Sequence, residues 1–121
     1  MKSEFESIFI RLREILQKHS AAFTVTANAP DQYCLQIAFS PKLKKSFPVA
    51  WVKVGKAYVS YHFIPVYMFP QLLESKSDKL RARMQGKSCF NFKVVDEALF
   101  KELEALTTEG FIRCRKAGFG P

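Results

Sequence analysis

Cysteine is scarce and unpatterned in this 121-residue chain. Cys34, Cys89 and Cys114 are the three, widely spaced, with no Cys-x-x-Cys pair. Such a set excludes a disulfide framework and offers too few thiolates for a structural zinc site. Reduced thiols that pack as small hydrophobes are the expectation. Histidine is scarcer still, with only His19 and His62. No run of 18 apolar residues occurs, which excludes a transmembrane helix. Five glycines and six prolines are too few for a collagenous or low-complexity chain. The first residues, Met1-Lys2-Ser3-Glu4-Phe5-Glu6, hold early acids and lack the apolar stretch of a signal peptide. A cytoplasmic address with no membrane partner is therefore expected.

Acids are also in short supply, 11 against 19 Lys and Arg, for a net charge of +8. The imbalance is local. Residues 94–110 carry five acids and one lysine, whereas 111–121 carry three cations and no acid. The bland reading is a protein kept apart by self-repulsion; the sharper one is an acidic partner. Hydrophobic residues make up 48% and charged residues 25%. That profile, at this length, predicts one domain over 1–121 that buries roughly two thirds of its unfolded surface. Residues 113–121 read as a loose basic tail.

Residues 3–19 predict a helix. Ser3 and Glu6 make a capping-box pattern, and Phe5, Ile8, Phe9, Leu12, Ile15, Leu16 and His19 share one face. Strands are predicted at Phe23–Asn28, Tyr33–Phe39, Pro48–Val54 and Ala57–Phe63. They are separated by a turn at Ala29-Pro30-Asp31, a basic loop at 40–46, and a type II′ turn on Gly55-Lys56. Ile64–Pro70 reads as an irregular apolar segment that either packs back or lines a site. Residues 71–75 suit a short helical turn, and Ser77 or Asp78 caps a helix running to about Met84 and stopped by Gly86. Ser88–Phe92 is a short strand. Asp96 caps the last helix, whose face carries Leu99, Phe100, Leu103, Leu106 and Gly110. The expected fold class is α+β, a mainly antiparallel sheet packed on N- and C-terminal helices in the order α-β-β-β-β-α-β-α.

Chemistry-bearing patterns are thin. Gly86-Lys87-Ser88 echoes a phosphate loop, but Arg81 stands where the first glycine belongs and the order is helix then strand. His62 lacks companions for a metal site and reads as a strand histidine with a local hydrogen bond. Cys89, near Lys87, would be reactive if that cation lowered its pKa; core packing is the plainer reading. Lys79, Arg81, Arg83, Lys87 and Lys93 surround Phe90 and Phe92, and Lys42, Lys44, Lys45, Lys53 and Lys56 lie near Trp51, Tyr58 and Tyr61. Single-strand nucleic-acid binders combine cations with aromatics in this way, although strand spacing assigns most of these rings to the core.

Two stretches carry a family resemblance. Val59-Ser60-Tyr61-His62-Phe63-Ile64-Pro65-Val66-Tyr67 and Arg83-Met84-Gln85-Gly86-Lys87-Ser88-Cys89-Phe90-Asn91-Phe92, followed by Asp96-Glu97-Ala98-Leu99-Phe100 with Glu102-Leu103, resemble the YdhG-like domain-of-unknown-function family of small bacterial domains. The resemblance spans about the whole chain and implies a frataxin-like arrangement of sheet and terminal helices. It also implies, for some relatives, iron handling as a chaperone. Iron, the one cofactor so suggested, needs exposed carboxylates. Here the first helix and strand offer only Glu4, Glu6, Glu14 and Asp31, and the acids gather instead on the last helix at Asp96, Glu97, Glu102, Glu104 and Glu109. The expected function is thus a non-catalytic binding or accessory domain for a small molecule or protein, with iron carriage and nucleic-acid binding as alternatives. Tyr61, His62, Tyr67, Lys87 and Asn91 are the candidate ligand contacts, placed where the fourth strand, the apolar segment and Gly86–Phe92 converge.

Overall fold

The structure, a computed structural model, describes residues 3–40 and 42–120. Pro41 of the basic loop and Pro121 of the tail lie outside them. Five strands, β1 (Thr24–Ala29), β2 (Gln32–Ser40), β3 (Lys45–Val54), β4 (Val59–Phe63) and β5 (Cys89–Phe92), form one antiparallel sheet in the order β1-β2-β3-β4-β5. Helices α1 (Glu4–Gln17) and α4 (Glu97–Lys116) pack with α2 (Ile64–Met68) and α3 (Asp78–Arg81) around this sheet, an α+β architecture. No helix among the described residues is long and apolar enough to cross a membrane.

Alternation along the strands sets the two faces of the sheet. Tyr33, Val52, Tyr61 and Phe90 pair across β2, β3, β4 and β5 and are all buried. Their neighbours Cys34, Trp51, His62 and Cys89 form the matching row on the opposite face. The core joins the inward row to Ile8, Leu12 and Leu16 of α1 and to Phe100, Leu103 and Leu106 of α4, as their periodicity requires. Val25, inward by its pairing with buried Leu35, remains exposed on the edge strand β1.

The two long helices run in parallel. Glu4 near the start of α1 accepts from Val95 N–H before α4, Arg11 reaches Glu97 and Glu104, and His19 after α1 meets Phe111 near the end of α4, ring centroids 5.0 Å apart. Acids in both first turns and cations in the last turn of α4 complement the helix dipoles. The caps fall at the expected residues. Ser3 accepts from Glu6 N–H, and Asp96 accepts from Leu99 N–H.

Four expectations need correction. The apolar segment at 64–70 is not irregular, because Pro65 stands in the first turn of α2, where its missing N–H costs nothing, and a 3₁₀ turn follows at Pro70–Leu73. Helix α3 stops at Arg81; beyond it Arg83 and Gln85 bond to Asn91 and Cys89, so 83–91 is a tight hairpin, with Gly86 at φ 81° in its loop. The β3–β4 link centres on Lys56-Ala57, since Gly55 N–H bonds to Tyr58 C=O, and Gly55 lacks the positive φ that a type II′ turn demands. Residues 113–120 are not loose. α4 continues to Lys116, then Phe119 N–H bonds to Cys114 C=O and Gly118 N–H, at φ 85°, to Arg115 C=O, a Schellman ending. Phe119 then rests 6.2 Å from the Phe69 ring, and Gly120 lies against Ile37.

Candidate functional site

The five candidate contacts separate into three settings. Tyr61 belongs to the core. It is fully buried, and its hydroxyl lies 2.5 Å from Thr107 Oγ1. Thr107 spends its own proton on Leu103 C=O, 2.8 Å away, so Tyr61 donates. Burial pushes the phenol far above the ordinary tyrosine range, against the opposing pull of Thr107. The expected ligand contact at Tyr61 is therefore corrected: strand alternation turns it inward with Val59 and Phe63, away from any ligand.

His62 and Asn91 sit on the opposite face of the sheet, and both are engaged there. The His62 ring stacks on Trp51 with centroids 4.6 Å apart and planes 13° from parallel. Burial lowers its pKa and Lys53 lowers it further, which favours neutral imidazole at pH 7. Its Nε2 is 3.7 Å from Cys89 Sγ. Asn91 accepts from Ser60 Oγ at 3.0 Å and from Cys89 Sγ at 3.3 Å, and it donates to Gln85 Oε1 at 2.7 Å. The amide's main valences are thus used within the β4–β5 edge. Cys89 is no activated nucleophile. Burial raises its pKa, with Ser60 opposing, and the nearby Lys87 stands instead over an aromatic ring. A neutral thiol beside a neutral imidazole lacks the thiolate that nucleophilic chemistry needs.

Tyr67 and Lys87 are brought together. Tyr67, on α2, is 60% exposed, and Lys87 Nζ lies 6.0 Å from its ring centroid. Between them opens a groove of about 580 Å³ whose apolar wall is Val66, Pro70, Leu73 and Met84. Local sequence explains each side. Pro65 in the first turn of α2 and Pro70 at the start of the 3₁₀ turn set the chain so that α2 presents Tyr67 and the 3₁₀ turn presents Leu73. Gly86 takes the left-handed conformation that closes the 83–91 hairpin and sets Lys87 on the rim. Lys87 is the sole charge on the lining. The wall residues Leu73 and Met84 escaped sequence reading because one lies in a segment read as a short helical turn and the other at the expected end of a helix.

The acids of α4 have internal duties. Glu97 and Glu104 both hold Arg11; Glu104 also meets Lys18 at 3.5 Å; Asp96 meets Lys79 at 3.1 Å; and Glu109 meets Lys76 at 3.5 Å. Glu102 accepts from Ser77 N–H at 2.8 Å and Oγ–H at 2.7 Å. The Arg11 hydrogen bond holds Glu104 below the usual carboxylate range despite partial burial. Among the described residues, no three His, Cys, Asp or Glu side chains gather as metal ligands would. Phe90 and Phe92, the aromatics nearest the 79–93 cations in sequence, are buried and present no face for stacking. Comparison with protein-family models, curated proteins and solved structures finds no match to this chain.

Proposed function

We propose that this chain is a non-catalytic binding or accessory domain of YdhG-like, frataxin-like type, acting in the cytoplasm, whose ligand site is the Tyr67–Lys87 groove. The observation that carries the reading is a largely exposed tyrosine capped by a lysine over an apolar wall that bears no carboxylate. Such a lining suits a small organic anion with a planar apolar body: the wall takes the body, the ring of Tyr67 stacks, and Lys87 meets the anionic group. The paired acids of α4 weigh against iron carriage, because each would have to leave a cation or a backbone donor to reach a metal. The buried aromatics weigh likewise against a stacking platform for nucleic acid on the 79–93 segment.

Two dyes sharing one skeleton test this. 8-Anilinonaphthalene-1-sulfonate carries the anion, and N-phenyl-1-naphthylamine lacks it. In amide NMR titrations the sulfonate should shift residues 66–73 and 84–87 selectively. Lys87→Gln should weaken it about tenfold, the equivalent of roughly 1.4 kcal/mol, and leave the neutral dye unchanged. Shifts elsewhere only, or equal loss of both dyes, would overturn the assignment.

A further inference from the structure

A second surface shares no lining residue with the groove and does not depend on it. Because α1 and α4 are parallel, both C-termini finish at one end of the molecule. The 3₁₀ turn Ser20–Ala22 and the Schellman turn at Gly118 lie there. So does the β2–β3 connection, since Lys42 Nζ is 4.9 Å from the Phe119 ring and Gly120 lies against Ile37. Two open grooves, about 430 and 520 Å³, share Ala21, Ala22 and Phe23 at this end. Ile112 and Arg115 border the first, and Phe39 borders the second.

Two features coincide on it. Large apolar side chains are left in water: Phe39 is 58% exposed, Leu43 41% and Ile112 39%. Cations surround them: Lys18, Lys42, Lys44, Lys45, Arg115 and Lys116. Among the described residues only Lys18 of these six has an ion-pair partner, Glu104. The other end holds acids as well, among them Glu4 and Glu6 in the first turn of α1 and Glu97 in the first turn of α4. Helix dipoles account for Arg115 and Lys116 at the end of α4. They do not account for Lys42, Lys44 and Lys45, which a sheet connection supplies. Lys44 even holds φ at 57°, a conformation that glycine adopts more cheaply.

We propose that this end docks on the surface of an anionic lipid bilayer. Hydrocarbon accommodates Phe39, Leu43 and Ile112, and headgroup phosphates and carboxylates meet the cations. Nucleic acid fits less well, because Leu43 and Ile112 have no π face on which a base could stack. The lack of a transmembrane span does not bear on surface docking, which needs only a shallow apolar edge with charge around it.

Sedimentation of the full chain with vesicles tests the assignment. Vesicles of phosphatidylcholine with about 30% phosphatidylserine should bind it at least tenfold more tightly than phosphatidylcholine alone, with salt weakening the difference. The double change Lys44→Gln/Lys45→Gln should lower that affinity roughly tenfold to thirtyfold. Phe39→Ser/Leu43→Ser should lower it about tenfold while circular dichroism stays unchanged, since both side chains are already exposed. Absence of binding to the anionic vesicles at low salt would overturn the proposal. So would serine variants that bind as well as the parent, or binding confined to a single-stranded oligonucleotide.

Discussion

Gly110 sets two physical effects against each other in a single atom. It lies on the buried face of α4, where replacement by alanine should improve helix propensity by about 1 kcal/mol. A β-carbon at that position, however, would stand 2.5 and 2.6 Å from Cε2 and Cζ of Phe63 and 3.0 Å from Pro65 Cβ. Carbon pairs prefer about 3.5–4.0 Å, so the overlap with the ring is about 1 Å. The ring cannot swing aside cheaply. Phe63 is fully buried, with Phe111 at 5.2 Å and Tyr61 at 6.2 Å between centroids. Overpacking costs typically 1–3 kcal/mol, and a double contact with a locked ring belongs at the upper end. Gly110→Ala should therefore destabilise the domain by about 2 kcal/mol net. For a chain of this size that lowers Tm by roughly 8 °C. Thermal and urea unfolding followed by circular dichroism measure it. The companion Phe63→Leu removes the clashing atoms, so adding Gly110→Ala to that variant should cost much less than in the parent. A Gly110→Ala protein as stable as the parent would show that propensity dominates and that α4 packs less tightly on Phe63 than these distances require.

Three further outcomes follow from the core and the helix interface. Thr107→Val strands the buried Tyr61 hydroxyl and should cost about 1–3 kcal/mol, whereas adding Tyr61→Phe should recover much of that loss, so a strictly additive double-mutant cycle would contradict the pairing. The same phenol has its pKa raised on folding, so its contribution to stability is whole below the ordinary tyrosine pKa and lost as pH rises above it; Tyr61→Phe should flatten the alkaline limb of the stability curve. Glu104 has its pKa lowered by Arg11, so its contribution is present above the ordinary glutamate range and lost as pH falls through the depressed value. Urea midpoints at neutral and acid pH should fall less steeply for Glu104→Gln than for the parent; an identical acid loss would remove this ion pair from the explanation.

The location of the candidate contacts was only half legible. Tyr67 and Lys87 are 20 residues apart and meet because α2 sits beside the 83–91 hairpin, whereas Tyr61, His62 and Asn91 are turned elsewhere by the alternation of β4 and β5. The irregular reading of 64–70 failed for a local reason: two prolines in seven residues suggest broken structure, yet one at the first turn of a short helix and one opening the next turn are both admissible. The error over the tail was of another kind. Glycines at 118 and 120 and a cluster of cations look like fraying, but Gly118 is the left-handed residue that ends α4, and Phe119 finds a ring to rest on only when the fold is complete.

Sequence alone determined the helix caps at Ser3 and Asp96 and the apolar faces of α1 and α4. These are properties of periodicity and of unpaired backbone groups within one turn, and they need no distant partner. Tertiary structure alone decided that α1 and α4 run parallel, so that Glu97 and Glu104 are spent on Arg11 and Lys18, and that the segment at α3 brings Lys76 and Lys79 to Glu109 and Asp96. It also gathered Lys42, Phe39, Ile112 and Arg115, 76 residues apart at the extremes, at a single end. Net charge is a sum over the chain, but the field a partner meets depends on which charges are neutralised and which share a surface, and only the three-dimensional arrangement sets that.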